Sequence, residues 1–178
     1  QLRPEWTGAP PPDAPVEVTR RRGVDLHPVD PRRDGERLLA YVWPDQSRRL
    51  AQLEAALAIA GEDPPEVDRG DAADWLEARL ADRQASGVTR VVLHSIAFQY
   101  FPDSTKARIA GAMEAAGAAA TFAAPLAWLR YEHEGGERIG LRLRAWPSGE
   151  ERLLAHCHPH GREVEWLWCR GSATENGV

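Results

Sequence analysis

The sequence predicts an α/β fold, a Rossmann-like methyltransferase-type sheet: parallel strands alternating with helices first, then an antiparallel meander at the carboxyl end. Three observations predict this order of elements. Short apolar runs and helix-spaced segments alternate over residues 16–117, the order that builds a parallel sheet with helices on its faces. The run Arg90-Val91-Val92-Leu93-His94-Ser95 ends in polar residues and feeds a helical pattern, as a strand does when it delivers side chains to a sheet edge. From Ile139 onward, apolar residues alternate at period two between turn signals, the pattern of half-exposed antiparallel strands.

Residues 1–15 carry Pro4, Pro10, Pro11, Pro12 and Pro15 and read as an extended arm, because proline fixes φ and removes a donor. Residues 16–25 read as a strand bearing Val16, Val18 and Val24, closed by Asp25 before Leu26-His27-Pro28 turns the chain. Residues 32–43 are moderately helical. Beyond Trp43-Pro44-Asp45-Gln46, the residues Leu50, Leu53, Leu57 and Ala60 recur at helical spacing up to Gly61, a stop signal. Pro64-Pro65 breaks the chain, and residues 66–69 are a short strand. Asp71 is placed to cap a helix over 72–85, with Trp75, Leu76 and Leu80 toward the core. A strand over 88–95 follows, then a helix capped by Asp103 or Ser104 that carries Ile109, Met113 and Ala116 and ends at Gly117. Residues 121–132 form a strand interrupted by Pro125, and residues 134–137 a turn. Residues 139–145 alternate as a strand. After Pro147-Ser148-Gly149, a hairpin runs over 152–158 and 163–168 through Pro159-His160-Gly161-Arg162. Residues 169–178 read as a flexible tail. The folded part is one domain over 16–168.

A chain of 178 residues is long enough for one domain with a real core. Its net charge is −5, from 22 basic and 27 acidic residues, which argues against a nucleic-acid partner. Arg20-Arg21-Arg22 reads as a solvated strand end rather than a phosphate patch. The two cysteines, Cys157 and Cys169, lie in no CxxC pair and are too few for a disulfide framework. A reduced, cytoplasmic setting follows as the expectation. No apolar run approaches the roughly 18 residues of a membrane span, and no signal peptide is visible. The first residue is Gln1 and the single methionine is Met113, so a processed chain or a piece of a longer one is expected.

Several residues are placed for chemistry. Asp25, at a strand end, suits a ribose hydroxyl; the plainer reading is a turn aspartate. Gly70-Asp71 follows a strand and could approach a nucleoside, though the pattern after it supports a helix cap. His94 suits a general base near neutral pH, and Ser95 a nucleophile. The pair makes a poor dyad, because adjacent strand residues point to opposite faces and Ser95 lacks the glycines of a nucleophile elbow. Phe98 and Tyr100 could wall a substrate pocket or simply pack the loop onto the sheet. His156, His158 and His160 recur at a spacing of two, which lines residues on one strand face, but the turn at Pro159-His160-Gly161 takes His160 off it. No metal site is assigned.

Taken together, Arg22-Gly23-Val24-Asp25-Leu26-His27-Pro28-Val29-Asp30, Val42-Trp43-Pro44-Asp45-Gln46-Ser47-Arg48-Arg49-Leu50, Arg69-Gly70-Asp71-Ala72, Val92-Leu93-His94-Ser95 and Pro159-His160-Gly161-Arg162-Glu163-Val164-Glu165-Trp166 resemble a bacterial family known as domain of unknown function 2332. The resemblance covers about residues 4–168. It implies the fold of an S-adenosylmethionine-dependent methyltransferase. Gly23-Val24-Asp25 then resembles the second strand, whose acid holds the cofactor ribose. Gly70-Asp71-Ala72 resembles the third-strand turn beside the adenine, and His94-Ser95 the end of the fourth strand near the methyl group. The glycine-rich first strand and loop of that pattern are not seen in this sequence. Strand one lies between strands two and four, so its loss implies a fragment, a direct pairing of those two strands, or another chain in the gap.

The leading expectation is therefore the carboxy-terminal part of a methyltransferase-like domain. S-adenosylmethionine would be held by Asp25, Gly70 and Asp71 in the full-length protein only, and bound weakly or not at all by this chain. His94 and Ser95 would be catalytic, Phe98 and Tyr100 would line the pocket, and the partner would be a small molecule. The alternative is a non-enzymatic binding or scaffold domain on a degenerate Rossmann-like sheet. A third reading, a hydrolase or zinc protein, needs His156 and His158 to converge with a carboxylate or with Ser95.

Overall fold

The computed structural model describes residues 4–135 and 138–168. In chain order the elements are β1 (Glu5–Thr7), β2 (Gly23–Asp25), α1 (Gly35–Leu39), α2 (Ser47–Glu62), β3 (Val67–Arg69), α3 (Ala72–Ala81), β4 (Arg90–Ser95), a 3-10 turn (Phe98–Tyr100), α4 (Asp103–Ala118), β5 (Leu126–His133), β6 (Ile139–Trp146), β7 (Glu150–Cys157) and β8 (Glu163–Trp166). The chain divides into two compact units, Val16–Trp75 and the remainder, Gln1–Pro15 with Leu76–Val178.

The expected Rossmann-like parallel sheet is not what forms. The larger unit holds a mixed six-stranded sheet in the order β1-β8-β7-β6-β5-β4, while β2 and β3 form a separate two-stranded parallel sheet. Of the five pairings in the large sheet, only β4 with β5 and β1 with β8 are parallel; the meander β5-β6-β7-β8 is antiparallel throughout. The physical reason lies in strand length. The three strands β5, β6 and β7 are eight residues each and join through short turns, so local hairpin pairing supplies most of the ladder. Strands β2 and β3 are three residues each and bond to each other, with Gly23 N donating to the Glu66 carbonyl and Gly70 N to that of Asp25. Direct pairing of the second and fourth strands does not occur.

Several boundaries also differ from expectation. The strand expected over 16–25 narrows to β2, with Val16 and Val18 exposed. The helix expected over 32–43 shortens to α1; its expected end, Tyr41-Val42-Trp43, approaches Pro44, where α conformation is disfavoured. Helix α3 stops at Ala81 rather than Ala85, because the Arg90 guanidinium donates to the carbonyls of Arg79 and Asp82 and satisfies the helix end. Strand β5 starts after Pro125, whose carbonyl accepts from Arg90 N. Glu5, Trp6 and Thr7, from the proline-rich segment, join β8 in parallel register, and Trp6 stacks on Trp166 at 5.7 Å. The tail over 169–178 lies outside the described residues.

The core of the larger unit sits between α4 and one face of the sheet. Ile109, Met113 and Gly117 are the buried residues of α4, and Leu126, Trp128 and Trp146 are buried on the strands beneath it. Helix and sheet come close at Gly117, where an added Cβ would lie 2.3 Å from the Trp146 ring. Glu114 on α4 pairs with Arg144 on β6.

Candidate functional site

The parallel register of β4 on β5 places Val92 beside Trp128 and His94 beside Arg130. The antiparallel register of β6 continues the rows to Arg144 and Arg142. Alternation along a strand sends all six of these side chains to one face. Val91, Leu93 and Ser95 lie on the other, where Val91 and Leu93 are 56% and 62% exposed. Ser95 is exposed and opposite to His94, so the two expected catalytic residues do not converge.

His94 meets a different partner. Its Nδ1 lies 2.6 Å from Oε1 of Glu132 on β5. The same oxygen accepts hydrogen bonds from the backbone amides of Ala97 and Phe98 at 3.1 Å each. A backbone turn aims those amides: Ile96 has φ 47°, a left-handed conformation that costs a β-branched residue roughly 1–2 kcal/mol. Its own amide donates to the Tyr131 carbonyl at 2.8 Å. Residues held in such conformations cluster at functional sites.

Around the pair the walls are aromatic. Phe98 stacks on the His94 ring at 4.9 Å and 18°, and Trp128 lies 5.9 Å from it. Both carboxylate and imidazole are largely buried, with 16% and 14% of their side-chain surface exposed. Because a carboxylate only accepts, Nδ1 carries the proton in the His94–Glu132 bond. Nε2 is buried without a partner, as are Oε2 of Glu132 and Nε1 of Trp128. An imidazole whose tautomer and orientation are fixed by a carboxylate, with its second nitrogen free, is arranged to accept a proton there. Of the two expected pocket residues, Phe98 is at His94 and Tyr100 is 76% exposed.

The other expected residues form a second group, in the unit Val16–Trp75. Parallel pairing aligns Asp25 with Arg69, which brings Asp25 and Gly70-Asp71 to the same carboxyl edge of the small sheet. Asp25 Oδ1 accepts from His27 N at 2.7 Å, an Asx turn. Asp71 Oδ1 accepts from the amides of Ala73 and Asp74 at 2.9 and 3.1 Å, which is the helix cap the sequence predicts.

A separate cleft of about 490 Å³ opens where β1 meets β8, lined by Glu5, His156, Cys157, His158, Glu163 and Glu165 among others. Neither His94 nor Glu132 is among its lining residues. Burial pushes the Cys157 thiol and the Tyr131 phenol above their ordinary values, and Tyr131 Oη donates to the His158 carbonyl. His160 N donates to His158 Nδ1 at 3.1 Å. Among the described residues no group of three His, Cys, Asp or Glu side chains could hold a metal ion. Among them, no helix is long and apolar enough to cross a membrane.

The residue that sequence reasoning missed is Glu132. Its signal was present: an acid in the strand Leu126–His133, at the same spacing of two that sets Trp128 and Arg130 on one face. Over residues 1–166 the chain matches the family described as an uncharacterized protein conserved in bacteria, domain of unknown function 2332. The chain belongs to that family. Comparison with curated proteins and with solved structures gave no match. Family membership therefore holds, while the methyltransferase-type fold expected with it gives way to the mixed sheet.

Proposed function

We propose that this chain of the domain of unknown function 2332 family carries a proton-transfer centre of an enzyme acting on a small molecule, with His94 as base and Glu132 as its positioning residue. The observation that carries the reading is the 2.6 Å bond from His94 Nδ1 to Glu132 Oε1, with Nε2 buried and unpartnered. A substrate proton would pass to Nε2, and the imidazolium charge so formed would rest against the carboxylate. Ser95, on the far face, takes no part in this step.

The test uses a general-base probe, the ring-opening elimination of 5-nitrobenzisoxazole. The chain is expected to accelerate it, and His94→Asn to abolish the acceleration. Glu132→Gln is expected to lower kcat by about 10–100-fold, as loss of an orienting carboxylate does, with KM little changed. A rate equal to that of His94→Asn overturns the assignment.

A second reading is favoured by one observation, the shared edge of Asp25 and Gly70-Asp71. Those residues would hold the ribose of S-adenosylmethionine, a group that supplies an activated methyl when bound. In each aspartate one carboxylate oxygen takes the backbone amides, and the other suits a ribose hydroxyl. Calorimetric titration of this chain with S-adenosylmethionine is expected to show binding weaker than micromolar that Asp25→Asn and Asp71→Asn remove. Micromolar binding, or binding indifferent to both changes, argues against it.

A further inference from the structure

The face that carries His94 also carries a set of buried donors with nothing to donate to. Trp128 is 4% exposed, and its Nε1–H has no partner. Arg130 is the register neighbour of His94 on β5; its Nε–H is buried and unpartnered, while its guanidinium lies 4.7 Å over the Trp128 ring and pairs through Nη2 with Glu151 at 2.5 Å. Arg144, the register neighbour of Trp128 on β6, has a third orphaned Nε–H. Against these three donors stand two orphaned acceptors, Oε2 of Glu132 and Nε2 of His94, and Nε2 is the atom that receives the substrate proton.

Buried polar groups in native proteins are nearly always satisfied by protein, water or ligand, and an unpaired buried donor is costly. Donors that outnumber acceptors ask for an acceptor-only group, and guanidinium and indole N–H donors suit an oxyanion. The neighbouring rings of Phe98 and His94 suit a planar apolar body attached to it.

We propose that the His94 site takes a small carboxylate-bearing molecule whose anionic oxygens are bound by Arg130 Nε–H and Trp128 Nε1–H. The proposal rests on the reading of His94 and Glu132 as a site and names the substrate class of that site. It places the carboxylate over β5 and the reacting proton at His94 Nε2, one register row from Trp128.

The experiment is a titration of ¹⁵N-labelled protein with benzoate, followed at the indole and guanidinium N–H signals. Benzamide serves as the neutral isostere and inorganic phosphate as the rival anion. Benzoate is expected to shift the Trp128 and Arg130 Nε–H signals saturably, with benzamide and phosphate at least 10-fold weaker. Arg130→Lys keeps the charge and removes the Nε–H, and is expected to weaken benzoate at least 10-fold with the thermal midpoint preserved. Benzamide binding as well as benzoate, phosphate binding better, or full affinity in Arg130→Lys overturns the proposal. His94→Asn should still bind benzoate while losing the elimination reaction, and an unsubstituted chain that binds benzoate without accelerating the elimination counts against the base alone.

Discussion

At the scale of single residues, the two groups that burial perturbs sit side by side. The Cys157 thiol and the Tyr131 phenol are both raised, chiefly by desolvation, since burial disfavours the charged form of each. The folded chain therefore keeps these protons at a pH where the unfolded chain has released them. Between the ordinary and the raised values the unfolded state binds fewer protons, so stability falls as pH rises. The urea midpoint is expected to be level near pH 7 and to decline above the ordinary thiol range. Cys157→Ala should remove the earlier part of that decline and leave the part due to Tyr131. A midpoint that stays level to pH 10.5 would contradict the burial argument. The place of His94 near the end of a strand was readable in the sequence because it closes an apolar run. Glu132 could be placed on the face of Trp128 and Arg130 by alternation, but its pairing with His94 could not be read, because the two lie 38 residues apart and cross-strand register is invisible in chain order. Asp71 was readable as a cap because capping is local, and its bonds to Ala73 and Asp74 are the ones its position dictates.

At the scale of elements, α4 is held to the sheet by a contact that leaves no room for a side chain. An added Cβ at Gly117 would lie 2.3–2.5 Å from Cε2, Nε1 and Cδ2 of Trp146. The Trp146 ring is buried and also stacks under the Arg144 guanidinium at 4.9 Å, so it cannot swing aside without breaking a second contact. Gly117→Ala gains about 1 kcal/mol of helix propensity and incurs overpacking of typically 1–3 kcal/mol. The expected net is destabilisation, read as a lower urea midpoint with an unchanged m-value. A stabilised variant would show that the helix shifts freely on the sheet. The long elements were legible for a related reason. Helices α2 and α4 are sixteen residues each, long enough for a 3.6-residue spacing to show, and β6 alternates at a period of two in sequence. The pairing of β2 with β3 apart from β4 was not legible, because three-residue strands carry no periodic signal and their partners are chosen by contacts far along the chain.

At the scale of the whole molecule, apolar burial is uneven, and that sets an order of opening. In the larger unit, Leu126, Trp128, Ile139, Trp146 and Ala155 are buried on contiguous strands. In the unit Val16–Trp75, Ala73 is the buried apolar residue, while Tyr41, Trp43 and Ile59 are 73%, 72% and 69% exposed. Helix α2, although sixteen residues long, buries none of its residues. A two-stranded sheet of three-residue strands is marginal by itself, and a helix draws most of its stability from the face it packs. Segments with few buried contacts open locally at lower free energy than the core. Amide hydrogen exchange is therefore expected to show β5, β6 and β7 protected to the level of global unfolding, and β2, β3 and α2 exchanging at least about 2 kcal/mol earlier. Asp25 and Gly70-Asp71 belong to the early-opening set, whereas His94 and Glu132 belong to the sheet. If all of these amides exchange at one common free energy, the two units unfold as a single cooperative body. The His94–Glu132 pair and the edge with Asp25 and Gly70-Asp71 would then share one stability rather than two.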